Sequence, residues 1–295
     1  MVVQIKYHNK GEIIEWRWSS DNKLLPAPFW TSCFLIDGLL IDSGAPGGED
    51  DLRKFLFSLD ENQKVKKCVI THSHEDHCGG AAMLQTEFNI PVYASKKALP
   101  LLKKQKEYPD YRKITWGYPY RPFEAIPIES SISTSSNKYI FDIIEIPGHA
   151  VEEIALLEKK KQWAIIADGI MPKYTMIFSK NTDIPEDISQ IYNSLKKVNE
   201  ITKNMEKLII FTSGRGVFKN RSIITEKIQE IENLHTMAFK YHREAEDQGY
   251  TGKRILRYIV QKIFGKESFV GKFTRGGLSN QNLIISLLEW PLELN

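Results

Sequence analysis

The hydrophobic and polar positions of this chain follow two alternating periods. Apolar residues at every second position, or in short runs, predict strands. These are expected near residues 2–7, 12–18, 31–36, 38–42, 67–71, 91–94, 138–146, 152–157, 162–167 and 207–211. A spacing of three and four predicts helices near residues 49–58, 80–88, 95–105, 186–203 and 222–246. Strands that alternate with helices predict an α/β fold in which two packed sheets are covered by helices.

The pattern changes towards the end of the chain, where every predicted element is a helix. Residues 251–264 and residues 278–290 each carry an apolar stripe at helical spacing. The sequence therefore predicts a larger domain over residues 1–221 and a C-terminal helical extension over residues 222–295. We expect the extension to shape a pocket or to form a dimer contact, so a homodimer is left open.

Two segments interrupt the alternation. Residues 106–126 are rich in aromatic side chains and proline, a composition that favours an ordered loop over a regular element. This loop could be a substrate lid whose rings line a pocket, or its rings could pack it onto its own domain. The serine-rich residues 130–136 predict a polar connection.

The composition is that of an ordinary soluble globular protein. The chain has 295 residues, of which 42% are hydrophobic and 26% are charged. Its 40 basic and 37 acidic residues are interspersed and give a net charge of +3. This whole-chain balance makes a nucleic-acid partner unlikely, and no apolar run is long enough to predict a membrane span.

The cysteine content points to a reducing compartment. Cys33, Cys68 and Cys78 are few and odd in number, which argues against a disulfide scaffold. The first residues also lack the long apolar region of a signal peptide, so we expect a cytoplasmic protein. Cys78 follows a histidine but is expected to pack rather than to bind a metal, because cysteine is so often buried.

The densest group of potential metal ligands follows the strand predicted near residues 67–71. It is the sequence His72-Ser-His74-Glu-Asp76-His77, which ends at a Gly-Gly turn. An extended backbone points residues i and i+2 the same way, so His72 and His74 can bind one cation. Asp76 and His77 then face the position of a second cation. Imidazole and carboxylate together are ligands for zinc, iron, manganese or cobalt, so the sequence predicts a metal site.

This motif resembles the signature of the metallo-β-lactamase superfamily, which lies on a loop after a core strand of an αββα sandwich. Three further motifs of that family match in the same order: Asp42 after an apolar strand, His149 within Pro-Gly-His, and Asp168 after a later strand. The resemblance covers residues 1 to about 220 and predicts a four-layer αββα fold. It implies a first metal site of His72, His74, His149 and Asp168, and a second of Asp76, His77 and the bridging Asp168.

The last ligand position departs from the family pattern. After the tenth predicted strand the family usually has a Gly-His pair, whereas this chain has Gly214-Arg215. A guanidinium is always protonated and has no lone pair for a cation, so occupancy of the second site should fall. In one interpretation Arg215 replaces the second metal, pairs with Asp76 and contacts a carboxylate, phosphate or developing oxyanion of the substrate.

An alternative is that Arg215 turns to solvent and another histidine supplies the missing ligand. His235 and His242 are the candidates, but both lie on the apolar stripe of a predicted helix, which favours packing. The extension that contains them resembles the small winged-helix-like region of one branch of the superfamily. That branch includes glyoxalase II-like, lactonase-like and endoribonuclease-like members.

The resemblance implies a metal-dependent hydrolase that cleaves a small ester, thioester or lactone with metal-activated water. Zinc is the expected cofactor, as one or two ions, with iron or manganese as alternatives. The expected partner is a small-molecule substrate. Asp168 would orient the attacking water, Asp76 would transfer a proton, and Arg215 or Tyr174 would stabilise the oxyanion.

Two other functions stay open. Two histidines and one carboxylate, here His72, His149 and Asp168, are the ligand set of non-haem iron oxygenases. The superfamily includes persulfide dioxygenases of this kind. The other alternative is a degenerate, non-catalytic binding protein whose tail contacts protein or RNA.

Overall fold

The computed structural model describes residues 2–25 and 28–291. The predicted ends of the two domains, residues 1 and 295, lie outside these ranges. The strands are β1 (Val2–His8), β2 (Ile13–Ser19), β3 (Thr31–Ile36), β4 (Leu39–Ile41), β5 (Lys67–Ile70), β6 (Val92–Ala94), β7 (Ile126–Pro127), β8 (Ser131–Ser133), β9 (Ile140–Glu145), β10 (Ile154–Glu158), β11 (Trp163–Ala167), β12 (Ile177–Phe178), β13 (Ile209–Thr212), β14 (Gly216–Phe218) and β15 (Leu278–Ser279). The helices are α1 (Glu49–Ser58), α2 (Glu75–Cys78), α3 (Ala81–Phe88), α4 (Leu99–Leu102), α5 (Asp110–Trp116), α6 (Ile188–Ile201), α7 (Ser222–Asp247), α8 (Lys253–Phe264), α9 (Phe269–Phe273) and α10 (Asn280–Leu288).

The chain divides into two compact units. The first is formed by Met1–Glu145, Glu152–Asp168 and Lys207–Lys219, and the second by Ile146–Val151, Gly169–Glu206 and Asn220–Asn295. Helices α7 to α10 belong to the second unit, as does α6, which precedes the predicted extension. The domain boundary predicted between residues 221 and 222 stays a prediction.

The first unit contains two β-sheets. One has seven strands in the order β1 to β7, antiparallel from β1 to β4 and parallel from β4 to β7. The other has six strands in the order β14-β13-β11-β10-β9-β8. Buried side chains from both sheets form one core, in which Phe34 and Val69 of the first sheet join Phe141, Trp163 and Phe211 of the second. The two sheets therefore pack face to face.

Helices cover the other face of the seven-stranded sheet. Trp16 and Leu40 of this sheet share a second core with Leu52 of α1 and Met83 of α3. The inner strands β2 to β6 thus bury side chains on both faces, which explains their strongly apolar sequence, whereas the edge strands β1 and β7 are exposed. The predicted α/β fold class is confirmed.

The second unit is mainly helical. Helix α7 contacts α6, α8 and α10, and the two short strands β12 and β15 pair antiparallel. Ile191 and Leu195 of α6 and Ile224 and Ile231 of α7 are buried, as expected for apolar stripes at helical spacing. The predicted C-terminal helical extension is confirmed. None of the helices among the described residues is long and apolar enough to cross a membrane.

Three local predictions were wrong. The helix expected over residues 95–105 is only the single turn α4. The segment 106–126, expected as a loop, contains α5, and the serine-rich segment 130–136 contains β8, which pairs with β9. Backbone hydrogen bonds to a neighbouring strand do not depend on apolar side chains, so a serine-rich edge strand leaves little periodic signal.

Candidate metal centre

Two adjacent parallel strands bring Asp42 next to the histidine loop. Strands β4 and β5 are neighbours in register, with Ile41 opposite Val69. The carboxyl ends of parallel neighbours meet at the same edge of a sheet, so the residues that follow them lie side by side. The Asp42 amide donates to the Val69 carbonyl at 2.8 Å. His72, directly after this edge, is fully buried.

Asp42 fixes the protonation pattern of two histidines. Its Oδ1 accepts from the Thr71 amide at 2.8 Å, and its Oδ2 accepts from the Thr71 hydroxyl at 2.9 Å. The same Oδ2 lies 2.7 Å from His77 Nδ1, which must therefore carry a proton. Since the Thr71 hydroxyl gives its hydrogen to Asp42, it accepts from His72 Nδ1, 3.1 Å away. The protons on Nδ1 leave Nε2 of both histidines as the nitrogen that can bind a metal, once any proton on it is displaced.

The liganding atoms of three buried residues converge. His72, His77 and Asp168 offer one atom each within 4.8 Å of one another. His77 Nε2 lies 3.5 Å from an oxygen of Asp76 and 3.7 Å from one of Asp168. The His74 ring stands edge-on to His72, with ring centroids 4.5 Å apart. Zn²⁺ binds nitrogen and oxygen at about 2.0–2.2 Å, so His77 Nε2 and the carboxylate oxygens 3.5 and 3.7 Å from it are close enough to share one ion.

The carboxylates of this site repel each other without a cation. Burial raises the pKa of Asp76, and Asp168 adds to the rise while His77 opposes it. Burial by itself lowers the pKa of His77, but Asp42, Asp76 and Asp168 together raise it well above the usual range. Several carboxylates therefore compete for one positive charge in a buried space. A divalent cation supplies the missing charge, so the donor set fits a metal.

Glu153 contacts both the backbone of Asp168 and the ring of His72. Glu153 Oε1 accepts from the Asp168 amide at 3.2 Å and lies 4.0 Å from His72 Nδ1. Glu153 is almost fully buried. Nothing in its sequence context distinguished it from the other acidic residues of a strand-rich segment.

Arg215 lies beside Asp168. Its Nε is 3.8 Å from Asp168 Oδ1, and its side chain is 35% exposed. The sequence predicted a pair with Asp76, but the described ion pairs join Arg215 to Asp168. Because the two charged atoms are farther apart than a hydrogen bond, the guanidinium keeps donors for another partner.

The turn that precedes Arg215 is held in one conformation. Gly214 has φ 65°, and a Cβ there would lie 1.7 Å from the Trp30 carbonyl oxygen. Its amide donates to Ser32 Oγ at 2.9 Å, and its carbonyl accepts from Arg17 at 2.8 Å. Only glycine fits this close approach at positive φ, so Gly214 fixes where Arg215 starts.

Helix α5 is fastened to the motif by an ion pair that the sequence did not predict. Arg112 binds both carboxylate oxygens of Glu75, and the two residues are 5% and 1% exposed. Lys106 also donates to the Ser73 carbonyl at 3.1 Å. The aromatic segment therefore packs onto its own domain through charged contacts to the loop between the ligands. Residues 37 positions apart in sequence give no local signal of such a pair.

His149 belongs to the second unit. Its Nδ1 lies 2.5 Å from Glu186 Oε1, and Glu186 Oε2 accepts from the Phe178 amide at 2.6 Å. Gly148 before it has φ 143°, and a Cβ there would meet the Ile191 backbone. Glu186 thus orients the ring so that Nε2 is the nitrogen left for a metal. The sequence predicted His149 but missed Glu186.

The candidate replacement histidines have partners within the second unit. His235 Nε2 lies 2.9 Å from the Trp290 carbonyl oxygen, and its ring stands edge-on to the Trp290 ring. His242 Nδ1 lies 3.2 Å from a carboxylate oxygen of Glu246, one turn along α7. These contacts agree with the packing role that the helical stripe predicted.

Two further side chains behave differently from metal ligands or surface residues. Cys78 is buried, burial raises the pKa of its thiol, and its Sγ lies 3.6 Å from the Ser73 carbonyl oxygen. It packs, as predicted.

Tyr174 is only 2% exposed, and its amide donates to Glu230 in the second unit. The oxyanion role that the sequence suggested for Tyr174 stays a prediction.

Known proteins resemble this chain over the segment that carries the histidine motif. The family model described as the metallo-β-lactamase superfamily matches residues 28–157. Hydroxyacylglutathione hydrolase GloC of Haemophilus influenzae is 30% identical over 150 residues, which are 48% of this chain and 66% of that protein. Ribonuclease J 1 of Streptococcus pyogenes is 38% identical over 85 residues, which are 26% of this chain and 15% of that protein.

The fold has solved relatives as well. A metallo-β-lactamase from Pontibacter korlensis has a TM-score of 0.61 and 13% identity, covering 79% of this chain and all of that one. This chain belongs to the metallo-β-lactamase superfamily. Its curated relatives are matched over limited segments, such as 33% of a hydroxyacylglutathione hydrolase of Bdellovibrio bacteriovorus, which is 29% identical.

Proposed function

We propose that this protein is a metal-dependent hydrolase that cleaves a small ester, thioester or lactone. The observation that carries the proposal is the buried convergence of His72, His77 and Asp168, with Asp42 setting the protonation of both histidines. The resemblance to hydroxyacylglutathione hydrolases supports it, because an acylglutathione is a thioester.

The proposed ligands are those of the sequence motifs. His72, His74, His149 and Asp168 would hold a first ion, and Asp76, His77 and Asp168 a weaker second one. Zinc suits this donor set, with iron or manganese as alternatives. Such an ion, when bound, lowers the pKa of water and polarises a carbonyl.

The protein's own residues would then manage protons and charge. The buried Asp168 carboxylate would orient the attacking water, and Asp76, whose pKa is raised, would take up its proton. The partly exposed Arg215 guanidinium would donate hydrogen bonds to the developing oxyanion. A cytoplasmic location, a small-molecule substrate and a homodimer belong to the same proposal.

The first test is metal analysis of the native protein and of two variants at Arg215. We expect about one ion per native chain, and about two in Arg215→His, since the variant restores a ligand beside Asp168. Arg215→Gln is the matched control, because it removes the charge without adding a ligand. Purified protein should then hydrolyse members of a panel of S-acyl glutathiones, aryl esters and acyl lactones.

Each alternative function gives a different result in the same assays. Iron as the native metal, with oxygen uptake on a persulfide, would establish the dioxygenase alternative. Two ions in the native protein would overturn the role given to Arg215. Absence of turnover with zinc, iron and manganese would leave a binding protein.

A further inference from the structure

The positive charge of this protein is concentrated in one part of the second unit. Between Tyr250 and Gly277 there are seven basic residues and one acidic residue, Glu267, a local net charge of +6. The basic residues are Lys253, Arg254, Arg257, Lys262, Lys266, Lys272 and Arg275. The whole chain carries only +3, so the remaining residues are net negative. We name these seven side chains, with Phe269 and Phe273, the basic surface.

The cations of the basic surface are exposed and unneutralised. All seven side chains are exposed, and the described ion pairs include none of them. Elsewhere in the chain basic residues commonly have carboxylate partners, as Arg53 has with Asp50 and Glu87. Seven unpaired cations repel one another, and a polyanion would relieve that repulsion.

Aromatic rings lie in the same stretch of the chain as these charges. Phe269 and Phe273 are 63% and 39% exposed, and their rings stack at a centroid distance of 6.1 Å and an angle of 16°. The Arg254 guanidinium lies 4.0 Å from the centre of the Tyr250 ring. Exposed rings beside cations are the elements on which unpaired bases stack while the backbone is neutralised.

The alternative of an anionic lipid surface fits the same stretch less well. A membrane-binding helix needs an apolar face that is free to enter the interface. The apolar side of α8 is turned inward, since Ile259 and Val260 are buried. Only the two phenylalanine rings are left as exposed large apolar groups in this stretch.

We propose that the basic surface binds a single-stranded nucleic acid. The cations neutralise phosphates, and Phe269 and Phe273 stack on bases. This inference is independent of the proposed hydrolase activity, because none of its residues belongs to the candidate metal centre. The expectation of no nucleic-acid partner rested on the whole-chain charge, which averages this surface with a net negative remainder.

The test is binding of a fluorescein-labelled oligouridylate of about 12 nucleotides to the full chain, followed by anisotropy. Affinity should fall steeply between about 50 and 200 mM salt, with a logarithmic slope of about −0.7 for each phosphate neutralised. The variant Arg254→Gln/Arg257→Gln/Lys262→Gln should reduce the steepness of that slope by about 2. Lys10→Gln/Lys104→Gln/Lys160→Gln is the matched control, since it removes the same charge at exposed positions elsewhere.

A second variant separates stacking from apolar insertion. Phe269→Leu/Phe273→Leu keeps apolar bulk but removes the rings, and should weaken RNA binding about tenfold or more. Circular dichroism and thermal unfolding confirm that the variants are folded. Equal losses in the two triple variants, or no RNA binding by native protein at low salt, would overturn the proposal. The proposal would also be overturned if the protein bound phosphatidylserine vesicles but not RNA, and if this vesicle binding persisted in Phe269→Leu/Phe273→Leu.

Discussion

Asp42 shows how one carboxylate can control several metal ligands. It accepts two hydrogen bonds from Thr71 and one from His77, and through the Thr71 hydroxyl it also sets the proton on His72. Its own backbone has φ 63°, which aspartate tolerates better than most residues. The residue therefore acts on metal affinity without being a ligand in the proposed set.

We expect Asp42→Asn to weaken metal binding about 10- to 100-fold. The NH₂ group of the new asparagine would face either the Thr71 amide, which is itself a donor, or the Thr71 hydroxyl and His77. His77 would then favour the tautomer with its proton on Nε2, the nitrogen needed by a metal. Competition with a chromophoric zinc chelator measures the change.

Asp37→Asn is the control for this variant. Asp37 also has positive φ, 45°, and its Oδ2 also accepts from a threonine hydroxyl, that of Thr134. Asp37 makes no described contact with the proposed ligands, so the zinc affinity of Asp37→Asn should equal that of the native protein. Equal affinities of all three proteins would show that Asp42 does not set the histidine tautomers.

At the scale of elements, the start of α6 organises the loop that carries His149. Glu186 binds the His149 ring, and the Asp187 amide donates to the Gly148 carbonyl at 2.9 Å. The Asp187 side chain caps the helix by accepting from the amides of Ser189 and Gln190. One helix start thus supports its own backbone and a proposed ligand.

The charge of this cap should make stability depend on pH. Burial opposes ionisation of Asp187, but the hydrogen bonds from Ser189 and Gln190 outweigh it and lower its pKa below the ordinary 3.8. The ionised cap therefore stabilises the folded protein fully above about pH 3.8. This stabilisation is lost as the pH falls through the lower pKa that Asp187 has in the folded state. Asp187→Asn keeps the cap but not the charge, so the native advantage in free energy of unfolding should shrink towards about pH 3.

Urea unfolding at several pH values measures this difference, with Asp187→Ala as the variant that loses the cap. That variant should lose about 1 kcal/mol at neutral pH. Asp183→Asn, at an exposed position nearby, serves as the control. An advantage over Asp187→Asn that stays constant with pH would contradict the assignment.

Helix α5 depends on a buried ion pair for its attachment. We expect Arg112→Ala to lower the free energy of unfolding by about 3–5 kcal/mol, because it leaves the Glu75 carboxylate buried without its partner. Glu75→Met/Arg112→Met removes both charges and should recover much of the loss. Urea unfolding of the zinc-loaded proteins makes the comparison.

The control pair lies on the surface. Arg121 pairs with Glu49 at 3.3 Å with its side chain 54% exposed, so Arg121→Ala should cost less than about 1 kcal/mol. If Arg112→Ala were as mild as Arg121→Ala, the ion pair would not be what attaches α5.

At the scale of the whole molecule, metal binding should be coupled to folding. The site buries Asp76, Asp168 and His77 within a few ångströms of one another, and a cation relieves the repulsion between the two carboxylates. Removing the metal with a chelator should lower the melting temperature, and adding zinc at about 100 times its dissociation constant should restore about 2.7 kcal/mol.

Differential scanning calorimetry with and without zinc measures this coupling. His72→Ala/His74→Ala should melt at nearly the same temperature in both conditions, because two proposed ligands are missing. A zinc-dependent shift of native size in that variant would place the ion elsewhere.

Much of the fold followed from local patterns. A strand or helix buries one face, so its period is written in sequence, and ten predicted strands and the longer helices appear near their expected bounds. The short elements β8 and α5 were missed because edge hydrogen bonds and an ion pair, rather than apolar periodicity, hold them.

The sequence by itself determined the α/β class, the superfamily and the proposed ligands, because ligand spacing on one loop is a local property. Only the tertiary structure decided which distant residues support them, such as Glu186 for His149 and Arg112 for Glu75. It also placed Arg215 beside Asp168 and left the basic surface exposed. These features depend on which strand ends and helix starts come together in the folded protein. Residues far apart in sequence show no periodic spacing from which such a contact could be predicted.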